Sequence, residues 1–382
     1  MSIAGVLDRI DWDFPRAGTH AKSIHSTHWF PGNFIPQIPT AFIQALSRPS
    51  DLVFDPFSGS GTTGTEALRL GRRTIASDRI SACVMISQGK LDTQRTPIDR
   101  RRKGEILRAL TWDVYCRSDA PGKRGEGSDP GLARWFTPVT LAQLRYLWSL
   151  IELQQDTVVR RILTLIFSDV LFACASPGRA VTVAGTRRRH HWGWVADNVR
   201  PKVLVEHNAC RLFEARLANI PERSPANNMT EVLVMQQDAR RLALPSDSVD
   251  LIVTSPPYIG VIDYTLANRP LYAWMGWPLG QDRSDEIGAR FKRRRRELVA
   301  EYLEEMRTCW HELARVLRKG AYCAIVIGES RRYPGIVDQT LGELEKLMPK
   351  VWGPVKRIPS RRRVSDRDAQ AAFEFLCVFQ KS

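Results

Sequence analysis

Residues 51–78, DLVFDPFSGSGTTGTEALRLGRRTIASD, decide the fold of this 382-residue chain. Asp51 to Asp55 is a short apolar run typical of a buried strand, and a glycine-rich turn follows it directly. Thr62 to Leu70 has helical periodicity ended by Gly71, and Arg73 to Asp78 has the pattern of a second strand. A strand, a helix and a strand in this order form the unit from which parallel sheets are built.

The same alternation returns after a long interruption. Glu231 to Asp238 and Val249 to Thr254 have strand patterns, Arg296 to Leu317 has the pattern of a long amphipathic helix, and Ala321 to Ile327 reads as a further strand. Phe373 to Phe379 follows a basic turn, which predicts that the chain closes on a pair of strands. We therefore predict an α/β fold with a doubly wound, mostly parallel, Rossmann-like sheet.

The interruption between these two halves predicts an inserted lobe. A loop rich in glycine, serine and charge covers 118–131, and Thr140 to Phe172 is periodic enough for two helices. We expect residues 1–95 and 229–382 to form the two parts of the domain that holds the sheet. Residues 96–228 then form the inserted, mainly helical lobe.

Composition and charge restrict the class of protein. The chain has 56 Lys and Arg against 41 Asp and Glu, a net charge of +15, which favours a polyanionic partner such as nucleic acid. No stretch approaches the apolar length of a membrane span, and the acidic N-terminus does not resemble a signal peptide. The seven cysteines lack zinc-site spacing, so we expect a cytoplasmic protein with reduced thiols, no bound metal and no membrane partner.

The glycine turn, DPFSGSGT at residues 55–62, lies where a strand passes into a helix. Closely spaced glycines allow a ligand to approach the backbone there, and the start of the helix offers unpaired amide donors. Thr62 and Thr63 stand where a phosphate-binding loop would carry lysine, which disfavours a nucleoside triphosphate. Gly59, Gly61 and Gly64 also satisfy the spacing of a dinucleotide-binding turn, so the turn alone leaves the ligand open.

DPFSGSGTTGTEALRLGR resembles the cofactor-binding motif of the amino DNA methyltransferases, which methylate cytosine N4 or adenine N6. The resemblance implies a seven-stranded class I methyltransferase sheet and S-adenosyl-L-methionine as the cofactor. It places the cofactor's methionine part at the glycine turn, its ribose hydroxyls at the acid that ends the second strand, and its adenine at the acid that ends the third. An aromatic, proline-rich segment upstream resembles the part that closes over the cofactor. The implied cofactor-binding residues are Phe30, Asp55, Pro56, Phe57, Gly59, Gly61, Thr62, Asp78 and Asp238.

The second motif, TSPPY at residues 254–258, follows a predicted strand at the sheet edge where doubly wound folds place their sites. Two prolines stiffen the turn, so that Ser255 and the Pro256 carbonyl can accept hydrogen bonds from an amino group. Tyr258 offers a ring on which a base extruded from the duplex can stack. We take Ser255, Pro256, Pro257 and Tyr258 as the catalytic set. In the family that the chain resembles, serine at the first position is typical of cytosine N4 methylation and aspartate of adenine N6 methylation.

Candidates for contact with double-stranded DNA lie in two basic runs. The first, in the predicted insert, mixes cations with tryptophans, and the second precedes the long helix. The predicted contact residues are Arg187, Arg188, Arg189, Trp192, Trp194, Arg294 and Arg295. The order of the two motifs resembles enzymes in which a target-recognition region interrupts the catalytic domain.

The sequence leaves several functions open. Adenine N6 methylation shares every motif except the preference at Ser255, and methylation of RNA or a DNA-binding relative without catalysis are further alternatives. Methylation of cytosine carbon 5 is excluded, because it needs a nucleophilic cysteine beside the prolines and none lies between Cys210 and Cys309. Association with the family implies a restriction-modification or stand-alone modification role, in the first case with a separately acting restriction endonuclease as partner.

Overall fold

A computed structural model describes residues 2–14, 23–32, 35–96, 98–116, 130–175, 203–222, 230–357 and 371–382. Its strands form one seven-stranded sheet in the order β3-β2-β1-β4-β5-β7-β6. The strands are β1 (Leu52–Asp55), β2 (Arg73–Asp78), β3 (Val232–Gln236), β4 (Val249–Thr254), β5 (Leu317–Ser330), β6 (Lys350–Arg357) and β7 (Ala371–Gln380). Neighbours from β3 to β5 pair in parallel, whereas β7 is antiparallel to both β5 and β6. The predicted α/β, mostly parallel sheet is therefore confirmed.

Helices lie before and between the strands. In chain order they are α1 (Ile3–Leu7), α2 (Gln37–Leu46), α3 (Thr62–Arg69), α4 (Ser81–Arg95), α5 (Arg100–Cys116), α6 (Pro130–Ala133), α7 (Pro138–Glu152), α8 (Thr157–Cys174), α9 (Ala209–Ala218), α10 (Tyr264–Ala267), α11 (Arg269–Met275), α12 (Leu279–Asp285), α13 (Leu298–Val316) and α14 (Ile336–Glu345). Within the described part of the chain, none of them is both long and apolar enough to cross a membrane.

The sheet is buried on both faces, because alternate residues of its strands point into two separate cores. Val53 and Leu251 pack with Phe42 of α2 on one face. Phe54 and Ile252 pack with α13 and α14 on the other face, where the fully buried Trp310 donates its indole N–H to the Thr340 carbonyl at 3.0 Å. Burial on both sides explains why these strands read as apolar runs rather than as alternating patterns.

The strands differ from the predicted bounds for identifiable reasons. β5 starts at the buried Leu317, before the predicted Ala321, because the exposed residues 318–320 interrupt the apolar signal. β3 ends at Gln236, before the predicted Asp238, because its partner β2 ends at Asp78 and the register pairs Asp78 with Gln236. The predicted strand pair at the end of the chain corresponds to β6 and β7.

The middle region forms a helical cluster that packs against the sheet domain. Two helices, α7 and α8, cover the stretch in which two were predicted. The cluster shares one apolar core with α4, α9 and α11. Contact with α4 is close at Gly89, where an added Cβ would lie 2.7 Å from Cβ of Leu165 in α8.

Substitution of Gly89 tests this close packing. We expect Gly89→Ala to lower the free energy of unfolding by about 1–3 kcal/mol, because an extra methyl group must displace α8 from α4. That loss outweighs the gain of about 1 kcal/mol that alanine normally brings to a helix. Thermal and urea unfolding followed by circular dichroism measure the change.

Gly104 in α5 is the matched control. A Cβ there would come within 3.6 Å of the flexible end of Arg108, which can move aside. We expect Gly104→Ala to leave stability unchanged or to raise it by up to about 1 kcal/mol. Equal destabilisation by both substitutions would show that the contact between α4 and α8 is not specially tight.

Candidate functional site

A cleft opens at the carboxyl ends of β1, β2 and β4. Parallel strands of a doubly wound sheet bring their following loops together at this edge. The glycine turn forms one wall of the cleft, and the loop after β4 forms the opposite wall. Seven of the nine predicted cofactor-binding residues line it: Phe30, Pro56, Phe57, Gly59, Thr62, Asp78 and Asp238.

The glycine turn has a backbone shape that requires glycine. Gly59 and Gly61 both have positive φ, at 49° and 78°. The Gly61 amide donates to the Ser58 carbonyl at 2.7 Å, and Ser87 Oγ of α4 donates to the Gly59 carbonyl at 3.0 Å. The turn is thus fixed by its own backbone and by side chains from neighbouring elements, of which Ser87 is one.

Asp55 and Gly61, the two other predicted cofactor residues, lie beneath the cleft rather than in its lining. The Asp55 side chain is 2% exposed and accepts hydrogen bonds from Thr254 Oγ1 at 2.6 Å and from the Phe57 amide at 3.1 Å. Burial raises the pKa of the Asp55 carboxyl to about 6, although these hydrogen bonds oppose the shift. Gly61 directly precedes α3, and a Cβ added to Gly61 would lie 3.1 Å from Cα of Ser87. Both residues shape the turn from below.

Asp78, at the end of β2, faces the cleft. Its two carboxylate oxygens accept hydrogen bonds from the Gly59 amide at 2.9 Å and from the Ile80 amide at 3.0 Å. Burial raises the pKa of Asp78 to about 6. Each oxygen has a second lone pair, so the carboxylate can accept two more hydrogen bonds from vicinal hydroxyl groups.

Asp238, just beyond β3, lines the same cleft in a different electrostatic setting. Arg240 binds its carboxylate through two guanidinium nitrogens, the shorter contact being 2.6 Å. Burial alone would raise the pKa of Asp238, but the hydrogen bonds from Arg240 outweigh it and lower the pKa. Asp238 is therefore ionised and held in place at neutral pH.

Residues 28–32, which we call the strap, close the cleft on the side of the helical cluster. The Phe30 ring stacks on Tyr264, with ring centroids 5.6 Å apart and planes 18° apart. The neighbouring Trp29 stacks on Phe172 of α8 at 4.1 Å, and its amide donates to Asp169 Oδ1 at 2.8 Å. The strap thus connects the helical cluster to the wall of the cleft.

The loop after β4 carries the four predicted catalytic residues. Ser255, Pro257 and Tyr258 line the cleft, while Pro256 is buried behind them. Ser255 Oγ and the Tyr258 hydroxyl are 3.1 Å apart, a hydrogen-bond distance. Tyr302 donates to the Pro257 carbonyl at 3.0 Å. Burial raises the pKa of Tyr258 well above its ordinary value, so its hydroxyl stays protonated.

Part of the lining was not predicted from the sequence. Glu286 accepts hydrogen bonds from the amides of Tyr264 at 2.7 Å and Thr265 at 3.2 Å, and burial raises its pKa to about 8. Arg79 binds Asp282 at 3.3 Å and also Asp285, which joins the end of β2 to α12. No motif marks Asp282, Asp285 and Glu286, because only the chain reversal between 259 and 290 brings them to the cleft.

The predicted DNA-contact residues have different outcomes. Arg187 to Arg189, Trp192 and Trp194 lie outside the described residues. Arg294 and Arg295 are exposed and precede α13, with Arg295 3.4 Å from Glu301. Among the described residues there is no cluster of three or more side chains that could hold a metal ion. Six cysteines are buried and free: Cys83, Cys174, Cys210, Cys309, Cys323 and Cys377.

The chemistry of the cleft fits S-adenosylmethionine. Asp78 presents paired acceptors suited to ribose hydroxyls, and Phe30 and Ile80 supply apolar walls for a nucleoside. The backbone of the glycine turn leaves no room for added side chains, since a Cβ on Gly59 would lie 3.3 Å from the Phe30 ring. Such a surface suits close approach by the amino-acid end of the cofactor.

The pKa of Asp78 predicts that cofactor affinity depends on pH. With a pKa near 6, the carboxyl is ionised above about pH 7 and becomes neutral as the pH falls below 6. Because ribose hydroxyls bind the ionised acceptor better, we expect the Kd for S-adenosylmethionine to be constant at pH 7–8. It should rise below pH 6, by up to about tenfold per pH unit. Isothermal titration calorimetry from pH 5 to 8 measures it.

Asp78→Asn provides the control for this profile. The amide keeps the shape of the side chain but does not ionise, so we expect weaker binding with little dependence on pH. Asp55 has a similar pKa and lies beneath the turn. If the variant keeps the full pH profile of the natural protein, Asp55 rather than Asp78 controls it and the prediction is wrong.

Comparison with known proteins shows which proteins this chain resembles. Residues 8–88 match the model of the N6/N4 methyltransferase family, described as DNA methylase. The chain is 21% identical to the type II methyltransferase M.MjaII of Methanocaldococcus jannaschii over 413 aligned residues, covering 85% of this chain and 76% of that protein. It is 35% identical over 81 residues to the DNA adenine methyltransferase YhdJ of Escherichia coli, covering 21% of this chain and 26% of that protein.

A third relative matches over a shorter stretch. The type II methyltransferase M2.DpnII of Streptococcus pneumoniae is 42% identical over 52 residues, or 14% of this chain and 19% of that protein. The match to the family model contains the strap, the glycine turn and Asp78. Over residues 8–88 the chain therefore matches the N6/N4 family of DNA methylases, whose cofactor is S-adenosylmethionine.

Proposed function

We propose that this methylase transfers the methyl group of S-adenosylmethionine to N4 of cytosine in DNA. The observation that carries the proposal is Ser255, which lines the cleft at the start of Ser-Pro-Pro-Tyr and lies 3.1 Å from the Tyr258 hydroxyl. In such an enzyme the cofactor supplies an electrophilic methyl group on its sulfonium. The chain's own residues must hold the amino nitrogen in line with that group.

Ser255 is suited to accept a hydrogen bond from the target amino group. The exocyclic nitrogen of a base is a poor nucleophile because its lone pair is delocalised into the ring. Hydrogen bonds accepted from its N–H groups make that lone pair more available. If Ser255 donates its own proton to Tyr258, both of its lone pairs remain to accept from the base.

The Pro256 carbonyl is the second acceptor in this proposal. Neither proline has an amide proton, so these two positions of the loop cannot turn an N–H group toward the incoming base. The next carbonyl, that of Pro257, is already bonded to Tyr302, which holds the loop from behind. The loop therefore offers hydrogen-bond acceptors, which favour the amino group of a base over its ring nitrogens and carbonyl oxygens.

Tyr258 is proposed to stack on the extruded base. Its ring lies at the edge of the cleft, and its hydroxyl stays protonated because of the raised pKa. A neutral ring can compensate part of the unstacking cost of a flipped nucleotide, on the order of a few kcal/mol. The cofactor is proposed to bind in the part of the same cleft that Asp78 and Phe30 line.

The region 96–228 is proposed to recognise the DNA target. Its described helices share a core with the strap, so the region is placed next to the cleft. The net charge of +15 supports binding to the DNA backbone. The similarity to type II methyltransferases supports a restriction-modification role, with a separately acting endonuclease as partner.

Adenine N6 is the second candidate target. The local similarity to YhdJ, a DNA adenine methyltransferase, favours it. A direct experiment decides between the two bases. The purified protein is incubated with tritiated S-adenosylmethionine and unmethylated DNA, and the DNA is digested to nucleosides and separated by chromatography. Label in N4-methylcytosine supports the proposal, and label in N6-methyladenine refutes it.

Removal of the Ser255 hydroxyl tests the acceptor role. We expect Ser255→Ala to lower kcat by roughly 10- to 100-fold, because one hydrogen bond to the reacting amino group is lost. The Kd for S-adenosylmethionine should change little, since Ser255 acts on the base. Single-turnover transfer to DNA and calorimetric binding of the cofactor measure the two effects separately.

Ser246→Ala is the matched control. Ser246 is exposed in the turn before β4, at the opposite end of that strand from the cleft. We expect Ser246→Ala to keep the kcat of the natural protein. A Ser255→Ala enzyme that retains the natural kcat would exclude Ser255 from the proposed role.

A further inference from the structure

Three arginines lie beside the segment that follows the proline loop. The carboxyl ends of β4 and β5 lie side by side because these strands pair in parallel. Arg332 follows the end of β5. Arg290 and Arg293 belong to a short 3-10 helix, Arg290–Arg294, that packs on the loop after β4.

The cluster contacts the proline loop directly. Arg293 Nε donates to the Gly260 carbonyl, two residues after Tyr258. The Arg290 amide donates to the Ile262 carbonyl at 3.2 Å. Both contacts fix the 3-10 helix against the segment that continues from Ser-Pro-Pro-Tyr. The positions of these two arginines are therefore tied to the position of the catalytic loop.

Gly260 brings the third arginine to the same place. A Cβ on Gly260 would lie 2.9 Å from the Tyr333 ring and 3.3 Å from Cγ of Arg293, so both side chains pack on this glycine. The Arg332 guanidinium lies 6.0 Å from the centroid of the Tyr333 ring. Arg332 is exposed, and Arg290 and Arg293 are partly exposed.

The electrostatics of the cluster favour an anion. Burial lowers the pKa of Arg293, and the positive charges of Arg290 and Arg332 lower it further. Asp263 and Tyr333 oppose this lowering of the pKa only in part. The Asp263 carboxylate also accepts a hydrogen bond from the Phe291 amide at 2.7 Å. Like charges held together cost free energy, which a bound anion would recover.

We propose that Arg290, Arg293 and Arg332 bind a backbone phosphate of the nucleic-acid strand that carries the target base. The inference rests on the proposed function, because it places the target base at Tyr258. A base that is extruded toward Tyr258 stays attached to its own phosphates, which must then lie near the mouth of the cleft. Guanidinium groups match the geometry of a phosphate, and these three arginines are held beside the segment that continues from Tyr258.

Arg293 belongs to the basic run that precedes the long helix, whereas Arg290 and Arg332 lie outside the residues that the sequence singled out. Arg295 is 3.4 Å from Glu301, and Arg294 has no contact with the proline loop among those described. Arg293, the residue immediately before them, is the one that reaches Gly260. The contact to phosphate fixes the strand relative to the loop and encodes no base sequence.

The test uses Arg332→Ala and Arg290→Ala in the full-length protein. Binding of a short fluorescein-labelled DNA duplex is measured by fluorescence anisotropy at several salt concentrations, about 50 to 200 mM. We expect each variant to bind roughly tenfold more weakly at the lowest salt. The slope of log Kd against log salt should fall by about 1 for each lost phosphate contact.

Arg307→Ala is the matched control, since Arg307 is exposed on α13 and pairs with Glu304 at 2.8 Å. It should bind DNA as the natural protein does. Sodium phosphate at matched ionic strength should compete no better than chloride, which separates a backbone phosphate from free phosphate. The proposal is overturned if Arg332→Ala has the same slope of log Kd against log salt as the natural protein. It is also overturned if inorganic phosphate competes strongly with DNA.

The outcomes also separate this site from the proposed function. If the natural protein methylates DNA and both variants bind DNA with the natural slope, only the arginine site is wrong. If the variants lose slope but the natural protein transfers no methyl group to DNA, the phosphate site stands and the methylation proposal falls. If the natural protein binds no DNA at any salt concentration, the arginine site is wrong. The Kd for S-adenosylmethionine should be unchanged in both variants.

Discussion

The hydrogen bond from Thr254 Oγ1 to Asp55 Oδ1, 2.6 Å long, is the contact on which both walls of the cleft depend. Asp55 ends β1 and also accepts the Phe57 amide, which begins the glycine turn. Thr254 ends β4 and directly precedes Ser255. One buried carboxyl group therefore sets the separation between the turn for the cofactor and the loop for the base. Because water cannot replace a partner at this depth, loss of either side chain would leave a buried polar group unsatisfied.

A second set of buried polar groups holds the strap. Asp169 of α8 accepts the Trp29 amide and also Arg216 Nε at 2.5 Å. Burial lowers the pKa of the adjacent His28 to about 4, so its ring is neutral at physiological pH. Lys90 of α4 lies in the same region, where burial lowers its pKa to about 8 and Asp169 opposes the shift. The strap is thus anchored by hydrogen bonds and stacking in a dry environment that makes them stronger.

The sequence predicts the parts of this architecture that repeat a local pattern. β2 and β4 have the predicted bounds, and the glycine turn and proline loop meet at one cleft because parallel strands bring their carboxyl ends together. The role of Asp55 could not be predicted, since its partner Thr254 is 199 residues away. The places of Tyr264 and Glu286 in the lining of the cleft could not be predicted for the same reason, because only the chain reversal after Gly260 brings them close to Phe30. Local patterns identify strands and turns, whereas long-range contacts decide which side chains face the ligand.

The strap limits how the helical region can diverge. The inner side of α8 supplies Asp169 and Phe172, which hold Trp29 and through it the Phe30 wall of the cofactor cleft. Changes on this side would disturb a pocket that has no part in choosing a DNA sequence. The solvent-facing positions of α7 and α9 are not constrained by the cofactor cleft in this way. A descendant that acquires a new target can therefore vary those positions freely, but it inherits the inner side of α8 together with its cofactor.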